Sequence, residues 1–415
     1  MKKMIGKFAI VLVLALVVGL GVAMPAFASS SVEATANPAL SALITKNMNM
    51  PEGVSVPAGG LSFTFAFERA GYNDGPSPSG AAHPNLSETT LTVAAGETSA
   101  TTNILPALVA AANSSSEINA GPHDWIVTEL AGSSGTTGVA YDATQWLLRA
   151  HFANPVAPLT EMTVNYVEVF AVSGALGNLD IGTKQGAGMQ FTNVFVPSIG
   201  DSTNPALFFS KTIGEANRHN ANLNTLFSFT ATLTASAPLE SGSTTVTPEL
   251  PSPLVGTIVM SDGNTPAPTT VNGVARETSI PFINGAASFQ LRDGERLIFP
   301  TLPAGTSYVI TEAAAETFRP AASVLQGAGT AVEFAPDVLP GYGSSLTANG
   351  LVSNALVNSV FNNSAAFTNT LQTITPTGLV IGANIALVAA ALAVAALMLV
   401  MSSRNRRRIE ELPVV

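Results

Sequence analysis

The 415-residue sequence contains no cysteine. Disulfide bonds therefore cannot stabilise the fold, and catalysis by a thiol and metal sites with cysteine ligands are excluded. Charged residues make up 11% of the chain, and the formal net charge is −10. Between residues 29 and 377 the sequence has no basic cluster that could neutralise phosphates, so we expect no nucleic-acid partner.

Histidine is also rare. The four histidines, His83, His123, His151 and His219, are scattered without the spacing of metal ligands. The sequence has no glycine-rich phosphate loop and no pairing of cysteine with histidine. We therefore expect no metal, no cofactor and no enzyme that turns over a substrate.

Lysine is scarce between residues 29 and 377, where only Lys46, Lys184 and Lys211 occur. A soluble protein surface normally uses lysine freely. Each remaining lysine is therefore a candidate for a specific role. The alternative is a general compositional bias, because arginine is scarce as well.

The two ends of the chain carry targeting patterns. Residues 1–28 are typical of a secretory signal peptide, with three lysines, an apolar core and a small-residue cleavage site at 26–28; the alternative is an uncleaved membrane helix. Residues 379–401 are apolar over a length that can cross a bilayer as a helix. The arginines of 402–415 predict a cytoplasmic tail. We expect an exported, single-pass membrane precursor.

Between these ends, apolar and polar residues alternate, which is typical of β-strands. Phe63, Phe65 and Phe67 show the pattern, and residues 105–113 favour a short helix. The same alternation predicts strands at 125–129, 146–152, 162–170, 190–195, 227–233 and 307–312.

The strand patterns repeat on either side of a linker at 197–205 that is rich in Pro, Gly and Ser. They predict an all-β protein with two tandem immunoglobulin-like β-sandwich domains, at 29–200 and 206–372. These domains would lie between the signal peptide and the C-terminal transmembrane helix. Residues 235–281, rich in Pro, Thr and Ser, suggest an inserted hairpin or a long loop.

Both halves contain the same three polar residue types in the same order. Because successive side chains of a strand point to opposite faces, all six share a face with apolar neighbours, where a charge is costly to bury. The six residues are Lys46, Glu129 and Asn193 in the first half and Lys211, Glu312 and Asn369 in the second.

These residue types together indicate covalent chemistry. Desolvation favours a neutral lysine and a protonated glutamic acid, and a neutral amine is a nucleophile. The acid can hydrogen-bond the carboxamide, polarise its carbonyl and move protons. We therefore predict that Lys46 joins Asn193, and Lys211 joins Asn369, in intramolecular isopeptide bonds, with Glu129 and Glu312 as the catalytic residues. The alternative is that these are unrelated residues at strand ends.

Several short motifs resemble a known family. They are Trp-Ile-Val-Thr-Glu at 125–129, Gln-Phe-Thr-Asn at 190–193, Tyr-Val-Ile-Thr-Glu at 308–312 and Phe-Thr-Asn at 367–369. Over residues 40–378 the chain resembles the isopeptide-linkage domains of Gram-positive shaft (major) pilins of the streptococcal T-antigen type. The resemblance implies self-formed Lys–Asn bonds, polymerisation by a sortase and attachment to cell-wall peptidoglycan. The expected partners are a sortase, further copies of the chain, and possible accessory pilins or a host ligand.

The same resemblance assigns the sorting residues. Residues 375–378, Thr-Pro-Thr-Gly, resemble the Val-Pro-Thr-Gly signal of these pilins, although the common Leu-Pro-x-Thr-Gly signal is one residue longer. By analogy a sortase would cleave between Thr377 and Gly378. Lys184 would then join the next subunit, and its glycine neighbours predict an exposed, flexible loop.

The sequence therefore predicts a structural shaft pilin subunit on the surface of a Gram-positive cell. One alternative is a monomeric wall- or membrane-anchored adhesin on the same scaffold, with residues 235–281 available for a host ligand. Another alternative is a structural protein that stays in the membrane.

Overall fold

The computed structural model describes residues 40–71, 83–156, 160–186, 188–216, 218–334, 342–357, 360–372 and 392–394. The predicted signal peptide, the sorting residues Thr377 and Gly378 and the predicted cytoplasmic tail lie outside these ranges. So does the predicted membrane helix at 379–401, apart from the helical residues 392–394. In the part of the chain that the structure describes, no helix is long and apolar enough to span a bilayer.

The described residues of the N-terminal half form two β-sheets and one α-helix. The four-stranded sheet has the order β4-β1-β10-β6 and the six-stranded sheet the order β3-β2-β5-β7-β8-β9. The elements are β1 (Leu43–Asn49), β2 (Leu61–Ala70), β3 (Thr89–Val93), β4 (Ser99–Asn103), α1 (Leu105–Ala112), β5 (Gly121–Glu129), β6 (Val139–Ala140), β7 (Gln145–Ala153), β8 (Thr163–Ser173), β9 (Asp180–Lys184) and β10 (Met189–Phe195).

The C-terminal half has the same two-sheet arrangement. A seven-stranded sheet has the order β19-β16-β21-β12-β29-β24-β25, and a four-stranded sheet the order β20-β13-β23-β26. The strands are β11 (Ser198–Ile199), β12 (Leu207–Ile213), β13 (Phe227–Thr234), β14 (Leu239–Ser241), β15 (Thr244–Val246), β16 (Leu254–Met260), β17 (Thr270–Val271), β18 (Val274–Ala275), β19 (Ser279–Phe282), β20 (Ala286–Leu291), β21 (Glu295–Phe299), β22 (Leu302–Pro303), β23 (Ser307–Glu312), β24 (Phe318–Leu325), β25 (Val332–Phe334), β26 (Leu346–Leu351), β27 (Leu356–Val357), β28 (Val360–Phe361) and β29 (Ser364–Leu371), with a 3-10 turn at Arg218–Asn220.

Each half encloses its own apolar core between its sheets. In the first half, Phe63 and Phe65 of β2 pack with Trp125 of β5 and Phe191 of β10, and all four are fully buried. The alternating pattern of the sequence places these rings on one face of each strand, as its period of two requires. The prediction of an all-β, sandwich-like protein is confirmed, and the predicted short helix is present as α1.

In each half the first long strand pairs in parallel with the last. β1 lies beside β10 in the first half, and β12 lies beside β29 in the second. Each parallel pair occupies the interior of its sheet, because a further antiparallel strand flanks it on either side. The two ends of each half's chain therefore meet at the centre of one sheet.

The segment 235–281 differs from our expectation. It is no insertion, because β16 is a strand of the seven-stranded sheet, between β19 and β21. Its residue Ile258 lies in the core with 1% exposure. The strand was not predicted, because the Pro, Thr and Ser residues around it form turns and short hairpins on either side of it. Within 235–281, the hairpins β14–β15 and β17–β18 stand apart from the two large sheets of the C-terminal half.

The two halves contact each other. The predicted linker contains β11, which pairs with β22 of the C-terminal half. Ser55 and Asn354 exchange two hydrogen bonds, of 3.0 Å to the Asn354 Oδ1 and 2.7 Å from its Nδ2. The β14–β15 hairpin of the C-terminal half lies against β1 and β10 of the N-terminal half.

Candidate functional site

The parallel strand pairs bring each predicted lysine close to its asparagine. In β1 and β10, Lys46 is opposite Phe191, and Asn193 is opposite Met48. The lysine and the asparagine are therefore offset by two positions on neighbouring strands. An even offset places both side chains on the same face of the sheet, which here is the face that covers the core.

The second half repeats this register. In β12 and β29, Lys211 is opposite Phe367, and Asn369 is opposite Ile213. The offset between lysine and asparagine is the same as in the first half. The two sites are thus the same arrangement built twice by one strand pairing.

In the first site, Glu129 bridges the lysine and the asparagine. Lys46 Nζ donates to Glu129 Oε2 at 2.8 Å, and Asn193 Nδ2 donates to Glu129 Oε1 at 2.7 Å. Glu129 is the last residue of β5, so it reaches across the core from the opposite sheet. Lys46 and Asn193 are fully buried, and so is the Glu129 side chain.

The carboxamide oxygen of the first site has its own donor. Asn193 Oδ1 accepts a hydrogen bond of 2.7 Å from the backbone N–H of Asp142. The Asp142 carboxylate in turn accepts hydrogen bonds from the backbone N–H groups of Thr144 at 2.8 Å and Thr192 at 2.6 Å. Asp142 was assigned no role from the sequence, because a backbone donor leaves no trace in residue type.

The second site has the same bridge with a different carbonyl environment. Lys211 Nζ donates to both carboxylate oxygens of Glu312, at 2.8 and 2.9 Å, and Asn369 Nδ2 donates to Glu312 Oε1 at 2.6 Å. All three residues are at most 1% exposed. Asn369 Oδ1 is buried and has no hydrogen-bond partner among the residues that the structure describes.

Burial shifts both members of each ion pair towards their neutral forms. It lowers the pKa of Lys46 and of Lys211 from 10.5 to about 8, against the opposing effect of the neighbouring carboxylate. Burial likewise raises the pKa of Glu129 and of Glu312, against the effect of the neighbouring lysine. Because desolvation penalises both charges, proton transfer from the amine to the carboxylate becomes easier than in water.

Aromatic rings form the apolar wall beside each lysine. Lys46 Nζ lies 4.9 Å from the centroid of the Phe63 ring, and Lys211 Nζ lies 4.4 Å from that of Phe227. Both rings are buried in the cores of their halves. They keep water from the amine and limit its approach to the direction of the glutamate and the asparagine.

A family profile matches part of this chain, and solved structures resemble it at low sequence identity. Residues 206–335 match a family profile described as a domain of unknown function, DUF7601. No curated protein matches the chain. Among solved structures, the chain is similar to the major pilin from Streptococcus pyogenes, at 18% identity and a TM-score of 0.31, covering 80% of this chain and 99% of the pilin.

Two further likenesses are to pilus proteins. The T-13 major pilin of Streptococcus pyogenes has 18% identity and a TM-score of 0.31, covering 80% of this chain and 97% of that pilin. A pilus-presented adhesin (Cpa) has 13% identity and a TM-score of 0.22, covering 55% of this chain and 37% of the adhesin.

Lys184 differs from our expectation of a flexible loop. It is the last residue of β9, an edge strand that pairs with β8. Its Nζ donates to Glu168 Oε1 at 3.1 Å, and its side chain is 45% exposed. The glycines around it suggested a loop, but Gly182 lies within the strand. Lys184 is thus exposed, as we expected, but it lies in an edge strand and not in a loop.

The described residues contain no cluster of three or more histidine, aspartate or glutamate side chains that could hold a metal ion. At each site the lysine contacts the glutamate, and the glutamate contacts the asparagine. Each arrangement holds an amine and an amide against one carboxylate, so an exchange between the amine and the amide is a reaction that its geometry allows.

Proposed function

We propose that this chain is a structural shaft pilin subunit of a Gram-positive cell surface. Its halves would be two immunoglobulin-like domains, at 29–200 and 206–372, each cross-linked by one Lys–Asn isopeptide bond. The observation that carries the proposal is the repeated site. Two buried Lys–Glu–Asn arrangements occur at the same register of the same parallel strand pair.

The geometry supports a single-turnover reaction in each half. A proton passes from the lysine Nζ to the glutamate, leaving a neutral amine and a protonated acid. The amine attacks the asparagine Cγ, and a tetrahedral intermediate forms with a negative oxygen. The acid then protonates the amide nitrogen, which it already contacts, and the Cγ–Nδ2 bond breaks to release ammonia.

The protons of the reaction balance within the site. The carboxylate that protonated the leaving nitrogen takes one proton from the former lysine nitrogen, so the product is a neutral secondary amide beside a protonated glutamic acid. A neutral buried acid agrees with the raised pKa of Glu129 and Glu312. Holding the amine and amide on adjacent strands supplies the proximity that makes such a step fast.

The sequence expectation and the structure differ in how the carbonyl is polarised. We expected the glutamic acid to hydrogen-bond the carboxamide, and it does so through the nitrogen. In the first site the oxygen is held by the Asp142 N–H instead. A backbone donor aimed at the oxygen that becomes negative stabilises the transition state.

The proposal extends to assembly. A sortase would cleave between Thr377 and Gly378 and transfer Thr377 to Lys184 of the next copy, and the last subunit to peptidoglycan. The exposure of Lys184 on the side of the first half supports this role. Before processing, the signal peptide and the helix at 379–401 would make the chain a single-pass membrane precursor.

The cross-links are tested by the intact mass of the 29–377 region. Each bond removes one ammonia, so we expect a deficit of about 34 Da from the sequence mass, at about 17 Da per bond. Glu129→Ala and Glu312→Ala should each restore about 17 Da, and the double variant should restore both. A mass equal to the sequence value would end the cross-linking proposal.

Assembly is tested in cells by Lys184→Arg, which keeps the charge and the contact with Glu168 but is not a nucleophile for the sortase. We expect the wild-type protein to give an SDS-resistant ladder in cell-wall extracts and the Lys184→Arg variant to lose it. Glu168→Gln serves as the matched control and should keep the ladder. One band from the wild-type protein would favour the monomeric adhesin instead.

A further inference from the structure

A hairpin from the C-terminal half is seated on the N-terminal site. The hairpin β14–β15 contributes Glu240, whose backbone carbonyl accepts a hydrogen bond of 3.1 Å from Asn49 Nδ2. Ser241 Oγ lies within hydrogen-bond distance of two carbonyl oxygens, Ala140 at 3.2 Å and Thr192 at 3.3 Å. Ser241 is 1% exposed although it belongs to a small hairpin. The hairpin therefore joins β6 and β10 at the point where they flank the site.

The next residue, Gly242, packs directly on Asp142. Its φ angle is +56°, in the region that favours glycine, and a Cβ at this position would collide with the Asp142 carboxylate. Both the backbone conformation and the contact therefore require a residue without a side chain. The hairpin covers Asp142, which is only 4% exposed.

Asp142 links this contact to the reacting atoms. Its carboxylate is fixed by the N–H groups of Thr144 and Thr192, and its own N–H donates to Asn193 Oδ1. Gly242 thus touches the residue that touches the carboxamide oxygen. A shift of the hairpin would free Asp142 to move and would admit water to the polar end of the site.

We propose that Ser241 and Gly242 are positioning residues for the Lys46–Asn193 bond, so that this bond forms at its full rate only after the C-terminal half has folded and docked. The inference rests on the proposed cross-linking. The coupling runs in one direction, because the hydrogen bonds of Lys211, Glu312 and Asn369 among the described residues stay within the C-terminal half.

The test uses the full chain with Gly242→Ala. The matched control is Gly273→Ala, in the turn of the β17–β18 hairpin, where φ is +79° and a Cβ would meet nothing within 4 Å. The protein is sampled at fixed times after synthesis and digested, and the two cross-linked peptide pairs are quantified by mass spectrometry. Both bonds are thus followed in the same molecule.

We expect Gly242→Ala to slow formation of the Lys46–Asn193 bond by about tenfold to hundredfold, as for a displaced oxyanion donor. The Lys211–Asn369 bond should form at the wild-type rate, and Gly273→Ala should change neither bond. An unchanged Lys46–Asn193 rate in Gly242→Ala would overturn the inference. If neither bond forms in the wild-type chain, the proposed function fails instead.

If Gly242→Ala prevents the C-terminal half from folding, both bonds are lost in that variant. Ser241→Ala then tests whether the hairpin positions the N-terminal site. It adds no atoms, and we expect the Lys46–Asn193 bond alone to form about three- to tenfold more slowly, as for one lost hydrogen bond. Ser241→Thr, which keeps the hydroxyl, should recover most of that rate. Equal rates in Ser241→Ala and wild type would overturn the inference.

Discussion

The two proposed cross-linking sites share a lysine, a glutamate and an asparagine and differ in what surrounds them. In both, a parallel strand pair sets the lysine and asparagine two positions apart, and a glutamate from the opposite sheet bridges them. In the first site the carboxamide oxygen accepts the Asp142 N–H, whereas in the second it has no partner among the described residues. The two halves therefore share the proposed nucleophile and the proposed proton carrier, whereas the environment of the carboxamide oxygen differs between them.

The sites also differ in how self-contained they are. Among the described residues, the hydrogen bonds and ring contacts of Lys211, Glu312 and Asn369 are made within the C-terminal half, while the N-terminal site is covered at Asp142 by Gly242 of the other half. A chain synthesised from its N-terminus would have the first site's reacting residues in place before its cover exists. The residues proposed to react are therefore the same in both sites, whereas the stage of folding at which each site is complete differs.

The largest expected effect concerns the free energy of unfolding, to which both proposed bonds should contribute equally. Asn193→Ala and Asn369→Ala should each lower the free energy of unfolding of their half by about 5 kcal/mol, because loops 46–193 and 211–369 are nearly equal in length and each cross-link restricts the unfolded chain. Both tryptophans, Trp125 and Trp146, lie in the first half, so fluorescence during denaturant unfolding follows that half alone.

Circular dichroism in the same titrations follows both halves, so the second half is obtained from the part of the transition that tryptophan fluorescence does not show. Glu129→Gln and Glu312→Gln are the controls, since they keep the asparagine but should also lack the bond, and we expect similar losses from them. A loss below about 2 kcal/mol in either half would contradict a covalent constraint of this size.

The next effect concerns the difference between the two carboxamide oxygens. A single preorganised donor to the oxyanion is worth about a hundredfold in rate. We therefore expect the Lys46–Asn193 bond to form about a hundredfold faster than the Lys211–Asn369 bond once both halves are folded. Time-resolved quantification of the two cross-linked peptides after cell-free synthesis measures the ratio. Equal rates would show that the Asp142 donor has no kinetic role.

The pH dependence should again be shared. In the reactive state the lysine and the glutamate share one transferable proton, which lies on either the amine or the carboxylate. The two groups therefore titrate as a coupled pair. Below the raised pKa of the glutamate both groups are protonated and the amine is not nucleophilic. Above the lysine pKa of about 8 the pair has lost its proton and no acid remains for the leaving nitrogen.

We therefore expect a bell-shaped dependence of each rate on pH, falling on the alkaline side near pH 8 and falling again in acid. The rates are followed by the same peptide assay after transfer of newly made protein to each buffer. A rate that continues to rise well above pH 8 would mean that the glutamate does not supply the proton.

The smallest expected effect concerns the rings beside the amines. Phe63→Leu and Phe227→Leu remove the aromatic face but keep the apolar wall. Loss of a cation–π contact destabilises the charged amine by about 1 kcal/mol and so changes the rate by about fivefold or less. We expect similar changes in the two halves, and loss of either bond would show that the ring is needed for more than this.

Much of the fold was predictable because alternating burial has a sequence signature. The pattern at Phe63 and Phe65 identified β2 and its core face, and the recurring Lys–Glu–Asn order placed six residues that the structure brings together. Parity along a strand depends only on local spacing. It could therefore be determined from the sequence without knowing which strands are neighbours.

The features that escaped prediction depend on contacts distant in the chain. The Asp142 donor acts through its backbone, so its residue type gives no signal, and the contact of Gly242 with it involves no glycine side chain. Strand β16 was hidden because proline and threonine surround it. Lys184 was assigned to a loop from its glycines, although pairing with β8 makes its segment an edge strand.

The meeting of first and last strands has a topological consequence. With the proposed bonds, residues 46–193 and 211–369 become closed rings, and a protease that cuts once inside a ring releases no fragment. Within 46–369, a single cut can divide the molecule only in the segment 194–210. That segment is held by the pairing of Ser198–Ile199 with Leu302–Pro303 and by the hydrogen bond of the Ala304 N–H to the Pro197 carbonyl. Within 46–369, the connection that a single cut can sever is therefore held by strand pairing between the two halves.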